Sequence, residues 1–301
     1  MLFDYKHCDI CPRQCGADRS AGGGICGCGN RPRIARAAPH CWEEPCISGT
    51  RGSGAVFFSG CNLMCGFCQN RELSVCHAGT DIDTERLAEI FLELQNAGVH
   101  NINLVTPTPW VPWIKAALEI AWSKGLWIPT VFNTGGYDTP ETIQALRGYI
   151  GVYLPDFKYR DPLLSGRLSG AYDYPVFAEK ALFEMVNQRG EAVFDEEGMM
   201  IRGVIVRHLV LPGHIDNSLK TLDYLQKEYG NSIYVSIMNQ YTPMPGAEGE
   251  LSRTLTEAEY AEVVSYARSI GIVNGFIQEG ETAKESFIPE WNGLGVKPEG
   301  G

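Results

Sequence analysis

Ala55-Val56-Phe57-Phe58-Ser59-Gly60-Cys61-Asn62-Leu63-Met64-Cys65-Gly66-Phe67-Cys68-Gln69-Asn70 runs from a short apolar, β-prone segment straight into a C-x3-C-x2-C loop. Three thiols on one tight loop point to a metal site. In ferredoxins each iron of a four-iron, four-sulfur cluster takes a cysteine thiolate. A loop that offers three thiolates therefore leaves one iron open to a substrate or cofactor. Zinc also binds thiolate, but a structural zinc takes four ligands, usually from two C-x2-C-type pairs. Buried free thiols are the remaining alternative, because cysteine is among the most often buried residue types.

Outward from this loop, short β-rich segments alternate with helical patterns, the sequence sign of repeated βαβ units and a parallel sheet. Strands are expected at 55–59, 101–105, 128–133, 151–157, 201–211 and 233–239, with a short seventh at 275–278. Leu87, Ile90, Phe91 and Leu94 recur at helical spacing after a cap at Asp83 or Thr84. Thr256-Glu257-Ala258-Glu259 reads as a capping box ahead of a stripe of Tyr260, Val263, Val264 and Ala267. Thr139-Pro140 and Tyr174-Pro175 read as helix starts. In such architectures ligands bind outside the carboxyl ends of the strands, so strand-end residues carry the functional expectation.

The chain has 301 residues, 44% of them apolar and 20% charged, which suits one sizeable folded core. A net charge of −11 argues against a bulk electrostatic grip on nucleic acid or an anionic membrane. No apolar run has the roughly 18 residues of a spanning helix, and the N-terminal residues lack a signal-peptide pattern, so a cytoplasmic protein is expected. Of eleven cysteines, seven lie within the first 46 residues. In a reducing cytosol that clustering favours metal ligation over disulfides.

The run from Cys61 to Asn70, with Phe67 before the third cysteine, resembles the radical S-adenosylmethionine superfamily. The resemblance implies a [4Fe-4S] cluster on Cys61, Cys65 and Cys68. It also implies S-adenosyl-L-methionine on the open iron, and reductive cleavage to a 5′-deoxyadenosyl radical that abstracts hydrogen from a substrate. The fold implied is an α/β, partial (β/α)6 TIM-like barrel with a cysteine-rich N-terminal extension, divided as 1–50 and 51–301. Residues 50–295 resemble most the pyruvate formate-lyase activating enzyme and its relatives.

Carried over strand by strand, that resemblance gives a cofactor-binding set of Asn70, Thr106, Asn133, Asp156, Lys158 and Arg207. Thr106-Pro107-Thr108-Pro109 stands where the family has a Gly-Gly-Glu-like turn, so only backbone carbonyls remain there to accept from an ammonium. Phe132-Asn133-Thr134-Gly135-Gly136 stands at the third strand end. Asp156 and Lys158 match the family's Asp-Leu-Lys and share one strand face. They read either as cofactor contacts or as a solvated ion pair. Arg207, within an apolar strand, reads as a carboxylate clamp, since a buried unpaired charge is costly and its planar fork suits a carboxylate. His208 then faces the other side, toward the core. Tyr241 stands where the relatives tend to carry a histidine.

Cys8-Asp9-Ile10-Cys11-Pro12-Arg13-Gln14-Cys15, followed by Cys26-Gly27-Cys28, resembles the upstream segment of some activating-enzyme-related proteins, the AmmeMemoRadiSam subgroup included. Cys8, Cys11, Cys15 and Cys26 are expected to ligate a second iron-sulfur cluster or zinc, with Cys28 to spare; spacing does not choose the metal. Cys41, Cys46 and Cys76 read as small buried residues. Glu43 and Glu44 either meet a substrate or cap a turn.

The expected function is that of an activating-enzyme-like oxidoreductase acting on a protein or peptide. Its electron donor would be a low-potential protein such as flavodoxin or ferredoxin, with neither nucleic acid nor membrane as a partner. The alternatives are a radical enzyme acting on a small molecule and a non-catalytic electron-transfer protein.

Overall fold

The computed structural model describes residues 4–278 and 289–298. Its strands are β1 (Arg33–His40), β2 (Ser53–Phe58), β3 (Thr80–Asp81), β4 (Ile102–Val105), β5 (Thr130–Thr134), β6 (Val152–Pro155), β7 (Val193–Phe194), β8 (Met200–Leu209), β9 (Tyr234–Met238) and β10 (Gly275–Ile277). The helices are α1 (Pro45–Ser48), α2 (Arg71–Ser74), α3 (Thr84–Asn96), α4 (Val111–Ser123), α5 (Pro140–Ala145), α6 (Pro162–Ser169), α7 (Tyr174–Arg189), α8 (Ile215–Tyr229) and α9 (Glu257–Ser269).

β2, β4, β5, β6, β8, β9 and β10 lie side by side in that order, each parallel to the next. These are the six strands expected from sequence and the short seventh. β1 adds antiparallel to the outer edge of β2, and β3 pairs with β1 in turn. The domain boundary expected at residue 50 therefore falls inside one hydrogen-bonded sheet. β1 was missing from the sequence expectation because it sits among the cysteine-rich turns and lacks a β-branched run.

Side chains on the parallel strands alternate between two layers, as the pleat requires. Phe132, Tyr153, Val204 and Val206 face the crossover helices and share a core with Leu87 and Phe91 of α3, Ile114 and Leu118 of α4, and Leu222 and Leu225 of α8. Val131, Val152, Leu154 and Ile205 face the other way, into a separate inner cluster. Cys46 and Ile47 of α1 fill that inner layer. The result is an α/β, partial TIM-like barrel, helices outside, whose inner face is packed by the link that follows β1.

The helix ends follow the sequence signals. Asp83 accepts from the Arg86 amide at 2.8 Å and caps α3. Thr256 and Glu259 form the full capping box of α9. Thr139 caps α5. At α7 the cap position belongs to Asp173, with Tyr174 and Pro175 in the first turn.

Candidate active site

Because all seven parallel strands point the same way, their carboxyl ends gather at one mouth, and a cavity of about 610 Å³ opens there. Cys61, Cys65 and Cys68 line it from the loop after β2. Asn70 and Thr106 line it from the segments following β2 and β4, Asn133 from β5, Asp156 and Lys158 from the segment following β6, and Arg207 from β8. All nine residues expected at the site thus border one space. That volume lies within the roughly 300–1,000 Å³ of small-molecule sites.

Glycines let the strand ends approach. Gly136 has φ +77°, and a Cβ there would stand 2.1 Å from the Asp156 carbonyl. The β5 and β6 exits can therefore touch only with glycine at this position. Gly60, at φ +88°, lets the Cys28 sulfur pack against the backbone just before Cys61.

The cysteine loop is held from below. The Leu63 amide donates to Cys61 Sγ at 3.4 Å, and the Gly66 amide to the Leu168 carbonyl at 2.9 Å. The Ser169 hydroxyl donates to Cys65 Sγ at 3.0 Å. Burial pushes the Cys65 thiol up to about 12 and raises Cys61 as well. Bare thiolates are thus disfavoured here and need a cationic partner. No three His, Cys, Asp or Glu side chains among the described residues converge on a position for a single ion. A four-iron cluster makes no such demand, since each thiolate binds a different iron. Three loop thiols facing one cavity, with an amide donor on the Cys61 sulfur and a hydroxyl donor on the Cys65 sulfur, fit a group of that kind.

Lys158 Nζ meets Asp156 Oδ2 at 2.5 Å, with side chains 16% and 22% exposed. Both members are largely buried and border the cavity. Burial alone would lower the Lys158 ammonium's pKa, but the charges of Asp156 and Cys65 override it and hold it above the usual lysine range.

Arg207 also borders the cavity, but its fork is turned onto the chain's own carboxylates. Its Nε and Nη2 donate to Glu44 at 2.8 and 2.6 Å, and Nη2 also reaches Glu43. Asn103 Nδ2 donates to Glu43 Oε1 at 2.8 Å. The partner that a buried arginine requires is therefore internal: the fork expected to clamp a cofactor carboxylate holds two carboxylates of the chain itself. Burial raises the Glu44 carboxyl, but Arg207 outweighs it and the net shift is downward. Glu44 stands at the N-cap position of α1 through its carbonyl, but the Glu43 and Glu44 side chains cap nothing: they meet Arg207 of β8 and, from Glu43, Asn103 of β4, on the cavity wall.

His208 faces away from the cavity, as expected. The Phe157 carbonyl can only accept, so His208 Nδ1 carries the proton, 2.7 Å away, and Nε2 accepts from Ser218 at 2.9 Å. Burial holds this imidazole down at about 4.

Thr106 has φ +59° and Met64, inside the cysteine loop, +58°. A β-branched residue in the left-handed region is strained, and such strain clusters at functional sites. Thr108 and Pro109 are structural. Thr108 Oγ1 donates to the buried Asp138 carboxyl at 2.6 Å, and the Pro109 carbonyl accepts from Arg19. Tyr241 is buried, donates to the Leu251 carbonyl at 2.7 Å and packs near Phe67.

The cysteine-rich front end lies against this loop. Cys8 lies within electrostatic reach of Cys15 and Cys26, and Cys11 of Cys8 and Cys26. These four share a neighbourhood without converging on a single-ion position. A hydrogen bond from the Cys28 thiol draws Cys26 down to about 6 against the effect of burial. Cys46 is buried as expected, whereas Cys41 and Cys76 are exposed; each sits in a connecting segment outside the helices and strands. Arg13 donates to the carbonyls of Asn62, Leu63, Ser169 and Gly170, joining the front end, the cysteine loop and the end of α6. Sequence reading missed Arg13 and Ser169. Arg13 stands in a motif read for its thiols, and Ser169 lies 104 positions from Cys65 with no local signal.

Residues 55–164 match the family model of the Radical SAM superfamily, a span from β2 into α6 that contains the three loop cysteines, Thr106, Asn133, Asp156 and Lys158. The chain is 28% identical over 278 residues to Uncharacterized protein MJ0674 of Methanocaldococcus jannaschii, covering 89% of this chain and 76% of that protein. Among solved structures, SuiB of Streptococcus suis bound to precursor peptide SuiA gives a TM-score of 0.49 at 16% identity, over 74% of this chain and 47% of SuiB. The hydrogenase maturase HydG of Carboxydothermus hydrogenoformans gives 0.49 at 16% identity, over 78% and 55%. The chain thus spans about half the length of these solved proteins. No described helix is long and apolar enough to cross a membrane.

Proposed function

We propose that this chain is a radical S-adenosylmethionine enzyme of the activating-enzyme type, acting on a protein or peptide. The observation that carries the proposal is the convergence of Cys61, Cys65 and Cys68 with Asp156 and Lys158 on one cavity at the strand ends. When bound, a [4Fe-4S] cluster would supply an electron to the sulfonium of S-adenosylmethionine, releasing methionine and a 5′-deoxyadenosyl radical that takes hydrogen from the substrate.

The chain's own residues have separable tasks in this reading. Cys61, Cys65 and Cys68 hold three irons. Lys158 presents a cation to the methionyl carboxylate, and Asp156 shares its charge between Lys158 and the methionyl ammonium. The carbonyl at the Thr106 turn and the amides of Asn70 and Asn133 are left to accept from and donate to the nucleoside and the amino acid. Arg207 acts through Glu43 and Glu44, fixing the inner link beneath the cavity, while the barrel keeps water and stray hydrogen donors from the reacting centre.

Trp42, 63% exposed, stands on the cavity wall and suits a macromolecular substrate, since aromatic side chains are enriched at interfaces. A second reading, a small-molecule substrate, is favoured by the cavity volume alone. Both readings require a reductant of low potential, of the flavodoxin or ferredoxin class.

The test is the electron paramagnetic resonance spectrum of the anaerobically reconstituted, reduced protein. A reduced-cluster signal that changes on adding S-adenosylmethionine supports an open iron. A signal indifferent to it indicates complete ligation and an electron-transfer protein.

A further inference from the structure

We propose that the hydroxyl pair Tyr159 and Ser169 sets the reduction potential of the loop cluster through the sulfur of Cys65. The inference rests on reading Cys65 as a cluster ligand and assigns a positioning role to two residues that touch neither substrate nor cofactor.

The Ser169 hydroxyl donates to Cys65 Sγ at 3.0 Å, and the Tyr159 hydroxyl lies 2.8 Å from Ser169 Oγ. A hydroxyl has one proton, and that of Ser169 is given to the sulfur. With the Ser169 proton on the sulfur, Ser169 Oγ is left to accept from Tyr159, and the chain runs from Tyr159 to Ser169 to Cys65; the Tyr159 hydroxyl also reaches the Cys65 sulfur itself, so both hydroxyls serve that one atom. Ser169 is 2% and Tyr159 0% exposed, so water does not compete for either group. Successive hydrogen bonds that point the same way polarise one another, and a low local dielectric strengthens each.

The arrangement is held on purpose-built supports. Ser169 closes α6, and Gly170 follows in the left-handed conformation as the helix cap. Arg13 grips the carbonyls of Ser169 and Gly170 on one side and those of Asn62 and Leu63 on the other. The helix end and the cysteine loop are thereby fixed as one unit, and the hydroxyl keeps its aim at the sulfur.

A donor on a ligating sulfur disperses negative charge. The reduced cluster carries one more electron than the oxidised one, so it gains more from that donor, and the potential rises. Removing the hydroxyl makes the cluster harder to reduce.

The experiment is an anaerobic redox titration of the full-length reconstituted protein, followed by the reduced-cluster paramagnetic signal, with iron and sulfide measured on every sample. Ser169→Ala is expected to shift the midpoint to more negative potential at unchanged iron content. Tyr159→Phe is expected to shift it in the same direction by less. An unmoved midpoint in Ser169→Ala with full cluster content overturns the inference and leaves the proposed function standing. Loss of iron with an unmoved midpoint in the remaining clusters assigns Ser169 to loop stability and also overturns it. No cluster in the native protein overturns the proposed function and this inference together.

Discussion

The Arg13 guanidinium donates to the Asn62 carbonyl at 2.9 Å, so a residue of the cysteine-rich front end holds the loop between Cys61 and Cys65. Its remaining nitrogens reach Leu63, Ser169 and Gly170. A charged donor bonded to several carbonyls contributes roughly 1.5–3 kcal/mol per bond at most, and less where partly exposed. Arg13→Ala is expected to cost about 2 kcal/mol in urea denaturation and to reduce the iron retained after reconstitution. Unchanged stability and full iron retention would show that the front end does not brace the loop.

Arg207 serves two buried carboxylates. Removing it strands both, and breaking one side of a buried ion pair costs roughly 3–5 kcal/mol. Arg207→Met is expected to fall in that range by chemical denaturation. Adding Glu43→Gln and Glu44→Gln to the same variant should recover most of the loss. A free clamp for an exogenous carboxylate would behave differently, with weakened cofactor binding and little change in stability.

Thr106 adopts φ +59° at the mouth of the cavity, and its side chain is only half buried. Left-handed backbone costs a β-branched residue on the order of 1–2 kcal/mol, and glycine's extra freedom in the unfolded chain returns part of that. Thr106→Gly is therefore expected to raise stability by about 0.5–1 kcal/mol at an unchanged denaturant slope. A net loss would mean that the Thr106 side chain makes contacts that outweigh the strain.

His208 is buried and neutral, with its pKa held down at about 4 against an ordinary value of 6.5. The unfolded chain binds the proton more readily, so the stability tied to this group is complete above pH 6.5. It is lost as pH falls toward 4, and the shift amounts to roughly 3 kcal/mol. Stability profiles of the native protein and His208→Gln should converge on acidification between those values. Parallel profiles would show that His208 does not contribute to the acid sensitivity.

Much of this was legible because the parallel strands announce themselves locally. Val152, Tyr153 and Leu154 form an apolar run that only a strand buried on both faces needs, and Thr256 and Glu259 spell their own cap. The cysteine loop was legible because its spacing carries its chemistry. β1 was not, since its pairing with β2 is a tertiary event and its own residues include Arg36 and Pro39. The partners of Arg207 and of Cys65 were equally hidden. Glu44 lies 163 positions from Arg207, and no local pattern encodes a contact over that separation. The front-end thiols remain as the spacing left them, gathered but without a single-ion geometry that would name a metal.

The most direct test of the central claim is release of 5′-deoxyadenosine from S-adenosylmethionine by the anaerobically reconstituted, dithionite-reduced protein. A variant carrying Cys61→Ala, Cys65→Ala and Cys68→Ala serves as the comparison. Release by the native protein and none by the variant is the predicted result. No release by a native protein shown to carry a reduced loop cluster would contradict the account.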